Sequence, residues 1–256
     1  KWYMDCIDEM GNLFMGYSGS FDWKLIQASY SSTLTCNSQG EIKTASTLGK
    51  LSNPIRSGET LHWSHKKLNT TGHWVSIDDT IRQNIFSNKS GSIVWTCEQP
   101  RAVAKVETDN ISLSNAIGYT EIIDMTILPW RLPISKLWWG RFLSQNTMLI
   151  WIILEGGYNS SFVYYNGNRI TDATITNNKI ILNNRGITLR LYDSIVLREG
   201  SLASTLFSKA PVIRKIIPTK FQNSHESKWR SRGDLIKNGK IIDSAWSIHE
   251  VVSWDR

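Results

Sequence analysis

The chain has 256 residues, 41% hydrophobic and 20% charged, a balance that excludes a disordered chain and suffices for one large β unit or two smaller ones. Its net charge of +7 comes from basic residues scattered along the chain without a helix-turn-helix, zinc-finger or RNA-binding sheet signature. That pattern reads as a solvated basic face and argues against a nucleic-acid partner. The twelve tryptophans are unusual, because an indole joins a large apolar body to a single N–H donor and suits cores and ligand pockets alike.

From the N-terminus, Gly16-Tyr17-Ser18-Gly19 is one residue short of a nucleophile elbow, so Ser18 reads as a turn residue rather than a hydrolase serine. Cys6, Cys36 and Cys97 have neither CxxC spacing nor an even count, which argues against a disulfide framework. They point to a reducing, cytoplasmic compartment, with peripheral contact to an anionic membrane left open. His62-Trp63, His65 and His73-Trp74 lack the HExxH spacing of a zinc protease, so no metal is expected, and Trp63 becomes a candidate lining residue beneath a polar rim. Ser76 followed by Asp78 and Asp79 reads as the start of a short helix over residues 77–84.

Strand signals dominate the remainder. Ser92–Thr96, Met148–Leu154 and Ser161–Tyr165 are rich in β-branched and aromatic residues, and the apolar run at 148–154 is too short to cross a bilayer as a helix. Asn166-Gly167, Asn177-Asn178 and Asn238-Gly239 each sit between strand-like flanks and predict hairpins. No glycine-rich phosphate loop occurs, which removes the common nucleotide-binding enzymes and any cofactor of that kind. The polar stretch Glu107–Asn110 predicts a boundary, giving domains 1–112 and 113–256.

Two segments carry candidate chemistry. Read as a strand, Gly118–Met125 puts Tyr119, Glu121 and Ile123 on one face and Asp124 on the other, so the two carboxylates cannot act as a pair. A Glu buried among aromatic groups resists ionisation and can donate a proton, which makes Glu121 a candidate acid; an ion pair with Arg141 is the competing role. Trp246–Val252 also alternates, setting Trp246 and Ile248 opposite His249, a candidate proton carrier flanked by strong strand residues.

Gly118-Tyr119-Thr120-Glu121, the Pro-Trp-x-Leu-Pro segment at 129–133, Trp139-Gly140-Arg141-Phe142 and the closing Trp246–Trp254 resemble the lipocalin-like family of bacterial carotenoid 1,2-hydratase (hydroxyneurosporene synthase) and AttH-like proteins. Lys1-Trp2-Tyr3 and Gly16-Tyr17-Ser18 are similar to its N-terminal barrel. The resemblance implies an all-β chain of two packed lipocalin-like (calycin) antiparallel β-barrel domains and no cofactor. It also implies a lyase that protonates an isoprenoid or similar apolar molecule. On that basis Glu121 is the proton donor and His249 its orienting partner. Tyr119, Trp139, Arg141, Tyr165, Trp63 and Trp246 are the substrate-contacting residues. Where the family carries an Asp-His pair this chain has Glu121-Ile122, a departure that bears on activity and leaves the fold reading intact. The alternative is a lipid- or pigment-binding protein without chemistry.

Overall fold

Runs of β-branched and aromatic residues broken by Asn-Gly and polar turns fold into antiparallel sheet in a computed structural model that describes residues 1–23, 26–49, 51–201 and 218–254. The chain forms two units, 1–126 and 127–256. The first contains β1 (Trp2–Ile7), β2 (Leu13–Trp23), β3 (Ile26–Cys36), β4 (Ile42–Leu48), β5 (Ile55–Ser57), β6 (Thr60–His65), β7 (Thr70–Ser76), β8 (Ile81–Asn88), β9 (Gly91–Glu107) and β10 (Ser112–Met125). The second contains β11 (Lys136–Leu143), β12 (Met148–Glu155), β13 (Ser160–Tyr165), β14 (Asn168–Ile170), β15 (Ala173–Ile175), β16 (Lys179–Leu182), β17 (Ile187–Ser201), β18 (His225–Lys237) and β19 (Lys240–Ser253). Helix among the described residues amounts to one turn at Thr219–Gln222 and three short 3-10 segments.

In the first unit the strand order is β4-β3-β2-β1-β10-β9-β7-β6-β5, with β8 also paired to β9. In the second it is β14-β13-β12-β11-β19-β18-β17-β16-β15. In each sheet the two outermost strands follow one another in sequence, β4 then β5 and β14 then β15. A short connection between opposite edges obliges the sheet to curl round on itself, which is barrel topology. Ring contacts across the first unit agree, since Phe14 on β2 and Trp63 on β6 lie 6.4 Å apart although several strands separate them in the order.

Each interior is filled by large side chains. Phe14, Trp63 and Trp74 form the centre of the first core with Met4, Cys6 and Val106. Phe142, Leu149, Trp151, Leu189 and Leu235 do so in the second. Glycine makes room for the indoles by close approach. A Cβ on Gly118 would lie 2.6 Å from the Trp74 ring, and one on Gly140 would lie 2.2 Å from that of Trp151.

The expected hairpins form. Asn166 (φ 45°) and Gly167 (φ 77°) turn β13 into β14, and Asn238 (φ 50°) and Gly239 (φ 75°) turn β18 into β19, the left-handed pairs that a two-residue turn needs. Three expectations are corrected. The helix predicted over 77–84 is absent. Ile81–Asn88 is strand β8, Asp78 makes a two-point ion pair with Arg101 (3.0 Å on each contact), and Ser76 donates to the Asp78 carbonyl. Ser18 sits within β2, buried, and donates to the Ser52 carbonyl at 2.8 Å. The polar stretch 107–111 is the hairpin turn between β9 and β10, so residues 113–125 belong to the first sheet and the units divide after Thr126.

Candidate functional site

Strand alternation puts Met4, Cys6, Phe14 and Gly118 toward the first barrel's core and sends Tyr3, Asp5 and Tyr119 to the opposite face, together with Tyr17, which pairs with Tyr3. That face is buried as well. It carries two carboxylates, Asp5 and Glu121, at 0% and 4% exposure. Charge so deeply buried is costly unless it is bonded, and both carboxylates are bonded in the same way. Tyr3 Oη donates to Asp5 Oδ2 at 2.7 Å, and Tyr119 Oη donates to Glu121 Oε2 at 2.6 Å, so each phenol serves the acid two residues further along its own strand. Because β1 and β10 are antiparallel, Tyr3 stands across from Glu121 and Asp5 across from Tyr119. The result is a checkerboard of two phenols and two carboxylates.

Trp95 on β9 completes it, its Nε1–H reaching Glu121 Oε2 at 2.6 Å. Tyr3 lies against both Tyr17 and Tyr119, with ring centroids 5.2 and 6.1 Å away. Burial, with the nearby Cys97 and Glu121, pushes the Tyr119 phenol well above its ordinary pKa, so it stays protonated and remains a donor. Burial raises the neighbouring Cys97 thiol likewise. The cluster therefore offers a carboxyl group held by two fixed donors beside several aromatic faces. Such a group can hold or release a proton next to an apolar molecule.

The candidate residues distribute as follows. Tyr119 and Glu121 share a face and a hydrogen bond, as their spacing predicts. Trp63 lies in the first barrel's core, donating to the Ser52 carbonyl at 2.8 Å, on the face opposite Tyr119. His249 is in the second unit. Its Nε2 meets Ser231 Oγ at 2.8 Å, its ring stacks on Trp229, and burial lowers its pKa to about 4. Each of Glu121 and His249 thus has bonded partners within its own unit. Trp139, Arg141 and Trp246 share one face of the second sheet, among cations. Lys228 lies over the Trp139 ring at 5.5 Å, Arg232 over Trp246 at 4.0 Å, and Arg141 donates to the Trp246 carbonyl at 3.4 Å. Tyr165 packs on the second core with Arg185 above it.

Asp5, Tyr3 and Trp95 are members of the cluster that sequence reasoning missed. One signal was available, since Tyr3-Met4-Asp5 repeats the Tyr-x-acid spacing of Tyr119-Thr120-Glu121. Trp95 is brought in only by the pairing of β9 with β10.

Fold and register together define an all-β chain of two lipocalin-like antiparallel units. Solved structures share this fold over essentially the full length. A crystal structure of CghA with Sch210972 superposes with a TM-score of 0.58 at 10% identity, covering 100% of this chain and 88% of that one. Kievitone hydratase from Nectria haematococca gives 0.54 at 11% identity, covering 100% and 90%. A putative AttH from Nitrosomonas europaea gives 0.57 at 7% identity, covering 99% and 92%. No protein-family model and no curated protein matches the sequence. No helix among the described residues is long and apolar enough to cross a membrane.

Proposed function

We propose that this protein is a cofactor-independent lyase of the hydratase or cyclase type, acting on an isoprenoid or similar apolar small molecule. Tyr119 and Glu121 form its proton-transfer pair. The observation that carries the reading is the buried checkerboard of Tyr3, Asp5, Tyr119 and Glu121, with Trp95 as a second donor to Glu121. In this reading a neutral Glu121 passes its proton to an alkene carbon, leaving a carbocation on the adjacent carbon and a carboxylate that Tyr119 and Trp95 stabilise. The faces of Tyr3, Tyr17 and Tyr119 favour the cation. Addition of water with loss of a proton to Glu121 gives the alcohol; attack by a second double bond and proton loss gives a ring. Both sequences return the carboxyl group to its starting state. Support comes also from a neighbour of this fold that is a hydratase by name.

The test is turnover in heavy water of a panel of neutral alkenes (geraniol, farnesol and kievitone) followed by mass spectrometry. The expected product carries solvent deuterium on carbon, and Glu121→Gln lowers its formation by about 10²- to 10⁴-fold. A binding protein without chemistry is the second reading. It is favoured by the two donors already placed on Glu121, which suit a fixed structural carboxylate, and it predicts binding of the panel without deuterium uptake.

A further inference from the structure

A His-Trp pair occurs on each of two neighbouring strands of the first sheet, His62-Trp63 on β6 and His73-Trp74 on β7. Both tryptophans are fully buried in the first core and tied down there. Trp63 Nε1 donates to the Ser52 carbonyl at 2.8 Å and Trp74 Nε1 to the Asp5 carbonyl at 2.9 Å. Alternation sends the preceding histidine of each strand to the face away from that core, and the antiparallel register sets His62 directly across from His73. Nδ1 of one ring lies 3.3 Å from Nδ1 of the other, and the ring centroids are 4.4 Å apart. His62 is half-buried and His73 exposed, so solvent reaches the pair.

That separation is the one a metal ion requires. Two nitrogens each about 2.05 Å from a tetrahedral zinc ion stand about 3.3 Å apart, so an ion can bridge both Nδ1 atoms with the strands in place. In the free pair one ring donates its Nδ1 proton to the other. On binding, that proton moves to Nε2 of the same ring, and both Nδ1 lone pairs become available. The surroundings tolerate a cation. Lys105 stands across from His73 on β9, but its ammonium is paired with Glu107 at 3.1 Å, and Ile55 stands across from His62 on β5. His65 is turned to the core face, buried beside Trp63, and does not join the pair. No group of three or more His, Cys, Asp or Glu side chains is arranged for a metal among the described residues, so the chain supplies two ligands here and water the rest.

We propose that His62 and His73 form a surface site for a divalent transition-metal ion such as zinc, held by both Nδ1 atoms with water completing its coordination. Imidazole nitrogen suits zinc, copper and nickel, whereas magnesium and calcium take oxygen ligands. Register supplies the precision, because two strands pinned by buried indoles keep the rings together before any ion arrives. The HExxH criterion missed the pair because it looks for ligands along one helix, while these meet across two strands. The site belongs to the first unit alone and stands whether or not Glu121 transfers a proton.

Titration of the intact ¹⁵N-labelled protein with zinc chloride at pH 7.5, followed by NMR of the imidazole signals, tests this. The His62 and His73 signals are identified as those missing from His62→Gln and His73→Gln, and an unchanged His249 signal shows that each variant is folded. The expected result is that both signals shift together and saturate with one equivalent of zinc, while magnesium chloride at the same concentration moves neither. Each single variant should bind zinc at least about tenfold more weakly, since one of two protein ligands is gone. The proposal is overturned if both signals stay in place, or if only one responds, which would mean a lone imidazole meeting the ion. It is equally overturned if His62→Gln and His73→Gln bind zinc as tightly as the unmodified protein.

Discussion

Trp95 and Tyr119 place their donors on the same oxygen of Glu121, each at 2.6 Å. One donor comes from the strand beside Glu121 and the other from its own strand, so the carboxyl group is fixed from two directions. Hydrogen bonds to a buried carboxylate are worth most where water cannot replace them. Removing one leaves the acceptor under-satisfied, so Trp95→Phe and Tyr119→Phe should each lower the unfolding free energy by about 1–3 kcal/mol. The two changes act on one atom and should not add. Urea unfolding of the single and double variants measures this, and strictly additive losses would show that the donors act independently.

His249 makes stability depend on pH. Its folded-state pKa of about 4 lies below the unfolded value of 6.5, so between these pH values the unfolded chain binds the extra proton. The stabilisation is complete above pH 6.5 and is lost as pH falls toward 4. A shift of this size corresponds to roughly 3 kcal/mol. The stability difference between the protein and His249→Gln should therefore shrink by about that amount from pH 7 to pH 4. A difference independent of pH would mean that the imidazole is not held neutral by burial.

All three cysteines are buried and outside any disulfide, and burial pushes the Cys97 thiol up, away from the reactive thiolate. The native protein should leave its thiols unmodified by Ellman's reagent at pH 8, and denaturant should release all three. Rapid labelling of the native protein at Cys97, checked by peptide mass spectrometry, would show that the Tyr119–Glu121 region opens to water.

Gly140 is held by packing rather than by backbone conformation. A methyl group there would meet the Trp151 ring at 2.2 Å and His249 Cβ at 2.8 Å. Gly140→Ala should cost about 1–3 kcal/mol through overpacking and disturb the His249–Ser231 contact. Thermal unfolding with the histidine side-chain NMR signal reports both effects.

Much of this could be read along the chain. Period-two alternation put Tyr119 and Glu121 on one face, and Asn166-Gly167 and Asn238-Gly239 marked hairpins, because both are local properties of consecutive residues. Asp5 was hidden because its role depends on β1 pairing with β10, more than a hundred residues away. Trp63 was misgrouped with Tyr119 for a related reason, since alternation shows which residues share a face but not which face encloses the core. The segment at 77–84 resembled a helix because Ser76 and two acids imitate a cap. Asp78 instead serves Arg101, a partner that only the fold supplies. Residues 107–110 resembled a linker because a tight hairpin and a domain boundary use the same polar turn residues.

The most direct test of the proton-transfer assignment is deuterium uptake from heavy water during turnover of the alkene panel by the protein and by Glu121→Gln and Tyr119→Phe. The account predicts a deuterated alcohol or cyclic product, lowered about 10²- to 10⁴-fold by Glu121→Gln and less steeply by Tyr119→Phe. A panel returned without deuterium by the unmodified protein, or converted equally fast by Glu121→Gln, would contradict it.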